Sequence, residues 1–258
     1  MRLDRFLGEL NLGTRSQVKG FIRRGAVTVN GIPALNPDQR IDEATDRVAL
    51  HGKKLQYRRF VYYMLNKPEG VVSATRDNVS RTVVALLGKD AREDIFPVGR
   101  LDKDVTGLLL LTNDGELAHR LLSPKRHVDK TYLAVLAHGL RQADIRRLES
   151  GVDIGEERPT LPARVEVVEY DDAVFQTDKV SEARTVCPAR TIRLTLHEGK
   201  FHQVKRMLQA VDNEVVSLRR IAFGGLCLDP KLRPGEYREL TGEELKILRT
   251  ATAGDTEV

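Results

Sequence analysis

The segment PVGRLDKDVTGLLLLTNDG, residues 97–115, joins a polar loop to a short apolar run. Glycines bracket the loop at positions 99 and 107, and the four leucines 108–111 follow it. An apolar run of this length, bounded by turn residues, is typical of a strand buried on both faces. The next residues, Thr112–Gly115, predict a turn in which Asp114 caps a helix. We therefore expect a loop of charged side chains to be held against a buried strand, an arrangement that suits a functional site.

Strand patterns recur on both sides of this segment. They fall at Phe60–Leu65, Lys130–Leu136, Ala163–Val168, Thr191–Leu196 and Val215–Leu218. The turn-forming sequence 66–70 predicts that the first of these strands returns as a hairpin through Val71 and Val72. A helix is expected over 202–211. Because strands outnumber helices, the pattern predicts an α+β fold with a largely antiparallel, mixed sheet and flanking helices.

The first fifty residues have a pattern of their own. Apolar residues at helical spacing in 3–10 predict a short helix, and the capping box from Thr14 to Gln17 starts a second one. Val27–Val29 alternates as a strand, and Asn30-Gly31 is a strong hairpin signal. We place a small N-terminal domain at 1–57, a larger domain at 58–249 and a disordered tail at 250–258.

The charge of the chain is distributed unevenly. The 258 residues carry a formal net charge of +5, whereas residues 1–60 alone carry +6 and the remainder is nearly neutral. A basic module beside an electrically balanced domain indicates a polyanion-binding part attached to a part with a chemical role. The basic side chains that we expect to contact nucleic acid are Arg5, Arg15, Lys19, Arg23, Arg24, Lys53 and Lys54.

Several classes of protein are not indicated. The longest apolar run has six residues, too few to span a membrane, and no signal segment is recognisable, so we expect a cytoplasmic protein. Cys187 and Cys227 form no C-x-x-C pair, and the histidines have no metal-ligand spacing. We therefore expect neither a disulfide framework nor a metal site.

The carboxylates of the 97–115 segment allow more than one chemistry. A loop aspartate is most often a turn former. In an extended backbone, however, Asp102 and Asp104 would face the same side, about 6.5 to 7 Å apart, a spacing close to that of paired carboxylates in glycoside hydrolysis. A sugar cleft is usually lined with aromatic rings, yet the chain has no tryptophan. A binding module without catalytic activity is another alternative.

Two family resemblances narrow these alternatives. Met1–Leu7, Ser16–Val18 and Val27–Gly31 resemble the S4 domain, an RNA-binding module. Gly99–Asp102 followed by Gly107–Gly115 resembles the signature of pseudouridine synthases of the RsuA family. Further segments agree in order, at 65–70, 130–133, 198–207, 224–226 and 234–238, so that the resemblance covers nearly the whole chain.

This resemblance implies a reaction and a set of site residues. A uridine in RNA would be detached from its sugar nitrogen, rotated and rejoined through carbon, with no cofactor or metal. Asp102 would be the nucleophile, attacking either the sugar or the base; Tyr132 would stack on uracil and assist proton loss from its carbon 5; and Lys205 would pair with Asp102. The residues that would bind substrate are Arg100, His202, Gln203 and Arg206.

The choice of RNA is a further expectation. The short, acidic end of the sequence lacks the basic extension of some large-subunit relatives, which favours a ribosomal RNA target in an assembling small subunit over one in the large subunit. The polar stretch Tyr170–Ala189 is expected to be an exposed loop that could contact RNA. We expect the protein to act as a monomer.

Overall fold

The computed structural model describes residues 1–10, 12–43, 45–55, 59–168 and 190–253. The chain divides into two compact units. The first comprises Met1–Val61 together with Leu87–Ile95, and the second comprises Tyr62–Leu86 and Phe96–Val258. The stretch Tyr170–Ala189 lies outside the described residues, as does the proposed boundary at Tyr57. No helix among the described residues is long and apolar enough to cross a membrane.

The first unit packs two helices on a small sheet. The elements are α1 (Leu3–Glu9), α2 (Arg15–Arg23), β1 (Val27–Val29), β2 (Ile32–Pro33), β3 (Val48–Leu50) and β4 (Lys53–Lys54), with the sheet order β2-β1-β3-β4. The capping box of α2 is present, because the Thr14 hydroxyl accepts from the Gln17 amide and the Gln17 side chain accepts from the Thr14 amide. The N-terminal pattern is therefore confirmed in its helices and its first hairpin.

The second unit is built on one large sheet with helices around it. Its strands are β5 (Tyr62–Lys67), β6 (Phe96–Pro97), β7 (Thr106–Thr112), β8 (Lys130–Leu136), β9 (Arg164–Val167), β10 (Thr191–Leu196), β11 (Val215–Phe223), β12 (Leu226–Cys227) and β13 (Tyr237–Glu239). Its helices are α3 (Gly115–Leu122), α4 (Gln142–Ser150), α5 (Gln203–Gln209) and α6 (Gly242–Ala251). The expected α+β class is confirmed.

The order of strands decides what meets at the site. The sheet runs β13-β5-β7-β11-β8-β10-β9, with β6 and β12 paired outside this path. Among the described pairings only β7 with β11 is parallel, and the others are antiparallel. Every residue of β7 is buried, as its run of leucines predicts. The loop before β7 therefore leads into the middle of the sheet.

Three details of the sequence interpretation are wrong. The hairpin through Val71 and Val72 does not form, because β5 pairs with β7 and β13 and the Gly70 amide donates to the Lys103 carbonyl. Strand β11 continues past Leu218 to Phe223, since Leu218, Arg219 and Arg220 are all buried in the sheet. The tail does not begin at 250, because α6 runs to Ala251 and the side chain of Thr252 is buried.

Candidate active site

The loop between β6 and β7 is held from two sides. The Ser73 hydroxyl donates to the Leu101 carbonyl at 2.8 Å and accepts from the Leu101 amide at 3.0 Å. From β5, the fully buried ammonium of Lys67 donates to the carbonyls of Val105 at 2.8 Å and Lys103 at 3.3 Å. Burial lowers the pKa of Lys67 to about 8, although the charges of Asp104 and Asp102 oppose this shift. Asp102 thus projects from a backbone fixed by hydrogen bonds on either side.

Asp102 lies between two basic side chains from the region of α5. Its carboxylate oxygens are 3.5 Å from His202 Nε2 and 3.6 Å from Lys205 Nζ, and its side chain is about one-third exposed. An ammonium at this distance stabilises a negative carboxylate electrostatically. The predicted pairing of Lys205 with Asp102 is therefore present, and a histidine is added to it.

Lys205 also binds the second carboxylate of the loop. Its Nζ lies 2.8 and 2.9 Å from the two oxygens of Asp104, closer than to Asp102. Burial would raise the pKa of Asp104, but the hydrogen bonds and charge of Lys205 outweigh it and hold that pKa below its ordinary value. Asp104 is therefore an anchor for the lysine.

A cavity of about 410 Å³ opens beside Asp102. Its volume falls in the usual range for small-molecule sites. Tyr132 of β8 and Arg100 of the loop line it, as do His202 and Lys205. Apolar walls come from Leu196 and other leucines, and the exposed ring of Phe201 is stacked on His202 with the ring centroids 3.8 Å apart. The structure thus brings Asp102, Tyr132 and Lys205 to one cavity.

Two of the predicted substrate-binding residues are engaged elsewhere. Gln203 lines the cavity, but its side chain donates to Glu198 at 2.7 Å and accepts from the Lys200 amide at 2.8 Å. Arg206 does not line the cavity; it donates to Glu156 and to the carbonyl of Ile154. One residue along a helix is a turn of about 100°, so the neighbour of Lys205 points away from Asp102.

Three basic residues of the site were not predicted from the sequence. Lys67 lies behind the loop, whereas Lys130 of β8 and Arg220 of β11 line the cavity. All three are at least 90% buried, which is rare for these residue types. The available signal was weak, because Lys130 is the first residue of β8 and Arg220 follows another arginine in β11.

The first unit has a groove of mixed charge on its own surface. This groove, of about 700 Å³, is lined by the basic residues Arg2, Arg5, Arg15, Lys19 and Arg92 and by the acidic residues Asp4, Glu9, Glu93 and Asp94. Of the expected RNA contacts, Arg5, Arg15 and Lys19 therefore lie together. Arg23 and Arg24 do not line the groove, and Lys53 and Lys54 are exposed on β4 at the edge of the sheet.

We expect the double variant Arg15→Gln and Lys19→Gln to weaken RNA binding most at low salt. Each lost phosphate contact should reduce the slope of log affinity against log salt by about 0.7 to 0.9. Titration of RNA at several salt concentrations measures this slope. Arg40→Gln with Arg47→Gln is the charge-matched control, because both arginines are exposed in the same unit and do not line the groove. Equal slopes in the two double variants would contradict a special role for the groove.

Comparison with protein families identifies both parts of the chain. Residues 61–210 match the RNA pseudouridylate synthase family, and residues 1–48 match the S4 domain. A crystal structure of a pseudouridylate synthase is 36% identical, covers 96% of this chain and 99% of its own, and superposes with a TM-score of 0.64. The expected fold and family are confirmed.

Full-length relatives agree with this assignment. An uncharacterized RNA pseudouridine synthase, YtzG of Bacillus subtilis, is 48% identical over 98% of this chain and 100% of its own length. The ribosomal small subunit pseudouridine synthase A of Escherichia coli is 39% identical, covering 95% and 98%. The ribosomal large subunit pseudouridine synthase B of Bacillus subtilis is 37% identical, covering 96% and 95%. With its matching domains and a carboxylate, a tyrosine and a lysine around one cavity, the chain belongs to the RNA pseudouridine synthase family and carries an S4 domain.

Proposed function

We propose that this protein converts a uridine of small-subunit ribosomal RNA to pseudouridine, with Asp102 as the nucleophile. The observation that carries the proposal is the carboxylate of Asp102, held in a fixed loop beside Lys205 at the cavity that Tyr132 also lines. A glycosidase-like pair is disfavoured, because Asp104 is committed to Lys205 through both of its oxygens.

The reaction balances without an external oxidant or reductant. Asp102 attacks either the sugar carbon 1′ or the uracil ring, and the bond from carbon 1′ to N1 breaks. The uracil turns, its carbon 5 forms the new bond to carbon 1′ and loses its proton, and N1 gains a proton. The bond from Asp102 to the sugar or the ring breaks, which regenerates the carboxylate. Covalent catalysis divides this isomerisation into easier steps, and the cavity keeps the freed base beside the sugar.

The other side chains of the cavity have distinct parts in this proposal. Tyr132 stacks on the uracil and assists proton removal from carbon 5. Lys205 stabilises the Asp102 carboxylate, and Arg100, which is exposed at the cavity, contacts the RNA beside the extruded nucleotide. The groove of the first unit binds phosphates of a structured RNA element.

The choice of the small subunit is supported by the relatives named for that RNA, which match over nearly the full chain, although a large-subunit enzyme is almost as similar. The experiment is to map pseudouridine in both ribosomal RNAs from cells lacking this protein. Loss of one small-subunit site, restored by the wild-type gene and not by Asp102→Asn, is the expected result. Loss of a pseudouridine from large-subunit RNA instead would show that the substrate is the large-subunit RNA and would overturn the small-subunit target.

We propose that the protein acts as a monomer in the cytoplasm, where it meets the assembling subunit.

We expect long ribosomal RNA to be modified efficiently and a short oligonucleotide with the same uridine to be modified poorly. The second unit carries little net charge, and extrusion of a base has a free-energy cost of a few kcal/mol, so binding at the groove must contribute. Initial rates on free small-subunit RNA, a partly assembled particle, a mature ribosome and the oligonucleotide measure this preference. The mature ribosome should also react poorly if packing withholds the uridine. Comparable rates on the oligonucleotide and the long RNA would refute recognition at two places.

A further inference from the structure

The wall of the cavity contains an arginine whose hydrogen bonding is incomplete. Arg220 is 2% exposed, and its Nε donates to the Leu108 carbonyl at 2.8 Å. Its Nη2 has no hydrogen-bond partner among the described residues. A buried guanidinium nitrogen without a partner is unfavourable, because it has lost its water without a replacement. Such groups in a cavity wall often meet their partner in the ligand.

A second buried cation lies beside it. Lys130 is 9% exposed, and its Nζ donates to the Val128 carbonyl at 2.8 Å. Both cations pack on the ring of Phe223, with Lys130 Nζ at 5.6 Å and the Arg220 guanidinium carbon at 4.9 Å from its centroid. Burial, and then the charge of Arg220, lowers the pKa of Lys130 to about 8. The two groups therefore form a positive wall in a region from which water is largely removed.

Nearby carboxylates do not neutralise this wall by direct pairing. In the described part of the chain, neither Arg220 nor Lys130 forms an ion pair. Asp129 is 2.7 Å from His197 Nδ1, and Glu198 accepts from Gln203 and from the Leu161 amide. The charges of Asp129 and Glu198 act on Lys130 only from a distance. Two buried cations without a direct ion pair attract a negatively charged oxygen, since the local dielectric constant is low.

The register of the sheet places Arg220 on the same face as Tyr132. Arg220 is directly opposite Tyr132 in the antiparallel pair of β11 and β8, so the two side chains share one face of the sheet. Arg220 is also the partner of Gly107 in the parallel pair of β11 and β7. Strand β7 begins four residues after Asp102. Arg220 is thus placed beside the tyrosine expected to contact the uracil.

We propose that Arg220, supported by Lys130, binds an anionic oxygen of the target nucleotide inside the cavity. Two sources carry this chemistry: a phosphate of the RNA backbone, and the uracil oxygens, which become negative once the glycosidic bond breaks. Either one completes the hydrogen bonding of Nη2. A phosphate would be bound in the ground state, whereas the uracil anion would be bound only after bond cleavage has begun.

The test compares Arg220→Gln with Arg219→Gln in the full-length protein, using ribosomal RNA that the wild type modifies. Arg219 is also buried and is the neighbouring residue of β11, but it does not line the cavity, so its variant matches the loss of charge. The Kd at several salt concentrations and the single-turnover rate are measured for each. A melting temperature within a few degrees of the wild type establishes that a variant is folded.

The two sources predict different results for Arg220→Gln. A phosphate contact raises the Kd and reduces the salt slope by about 0.7 to 0.9, with a smaller effect on the rate of the bound complex. A uracil contact leaves the Kd nearly unchanged and lowers the single-turnover rate by about 10²-fold. Arg220→Lys keeps the charge and should recover part of either loss.

The proposal fails if Arg220→Gln is folded and both its Kd and its rate lie within twofold of those of Arg219→Gln. If Arg220→Gln does not fold, Lys130→Gln is measured with the same readouts, and unchanged values there are equally decisive against the proposal. This inference rests on the proposed function, which Asp102→Asn tests separately. If Asp102→Asn is inactive and Arg220→Gln is as active as Arg219→Gln, the inference about Arg220 fails and the proposed function stands.

Discussion

Replacement of Asp102 by asparagine is expected to abolish pseudouridine formation. Asparagine has nearly the shape of aspartate but is a very weak nucleophile, so the rate should fall by about 10³-fold or more. The side chain is partly exposed and the loop is held by Ser73 and Lys67, so the fold should not change. The measurement is single-turnover formation of pseudouridine, with the melting temperature and RNA affinity measured on the same samples.

Asp104→Asn is the matched control for this variant. It removes the same charge two residues away and releases Lys205 from its contacts at 2.8 and 2.9 Å. The freed lysine can then pair fully with Asp102, so we expect activity within about tenfold of the wild type. Equal, complete loss in both variants would indicate a catalytic pair of carboxylates and would overturn the assignment of a single nucleophile.

Gly107→Ala is expected to have the largest effect on stability. Gly107 has φ of +100°, and an added Cβ would clash with the carbonyl oxygen of Arg220 and lie 2.9 Å from the Arg220 amide nitrogen. These are backbone atoms of β11 in its parallel pair with β7, so neither strand can yield without separating from the other. Backbone strain and overpacking together predict a loss of roughly 3 to 5 kcal/mol in the free energy of unfolding.

Thermal unfolding checks this prediction, with Gly115→Ala as the control. Gly115 is the first residue of α3, and an added Cβ there has no neighbour within 4 Å. The Gly107 variant should melt on the order of 10 °C lower than the wild type, whereas the Gly115 variant should be close to neutral. A Gly107 variant as stable as the control would mean that the two strands can separate at little cost.

Features that depend on neighbouring residues could be predicted from the amino-acid sequence alone. The helices of the first unit follow from apolar spacing and a capping box, and their signals are local. The buried strand β7 and the helix cap at Asp114 could be predicted for the same reason. Both are confirmed, since all of β7 is buried and the Asp114 carboxylate accepts from the Leu117 amide at 3.0 Å. Asp102, Tyr132 and Lys205 stand within long motifs, and the family comparison confirms the fold and reaction class that those motifs implied.

Contacts between residues far apart in the chain could be identified only from the folded structure. The predicted hairpin at Val71 was wrong because β5 finds better partners in β7 and β13, a choice between strands far apart in sequence. The same holds for Arg220, whose hydrogen bond to Leu108 joins positions 112 residues apart. Its sequence context shows a charged residue in a strand but not which side of the sheet it faces, because one residue of register reverses every side chain. The parallel pairing of β7 with β11, with Gly107 at their close approach, sets that register and places the buried arginine in the wall of the cavity.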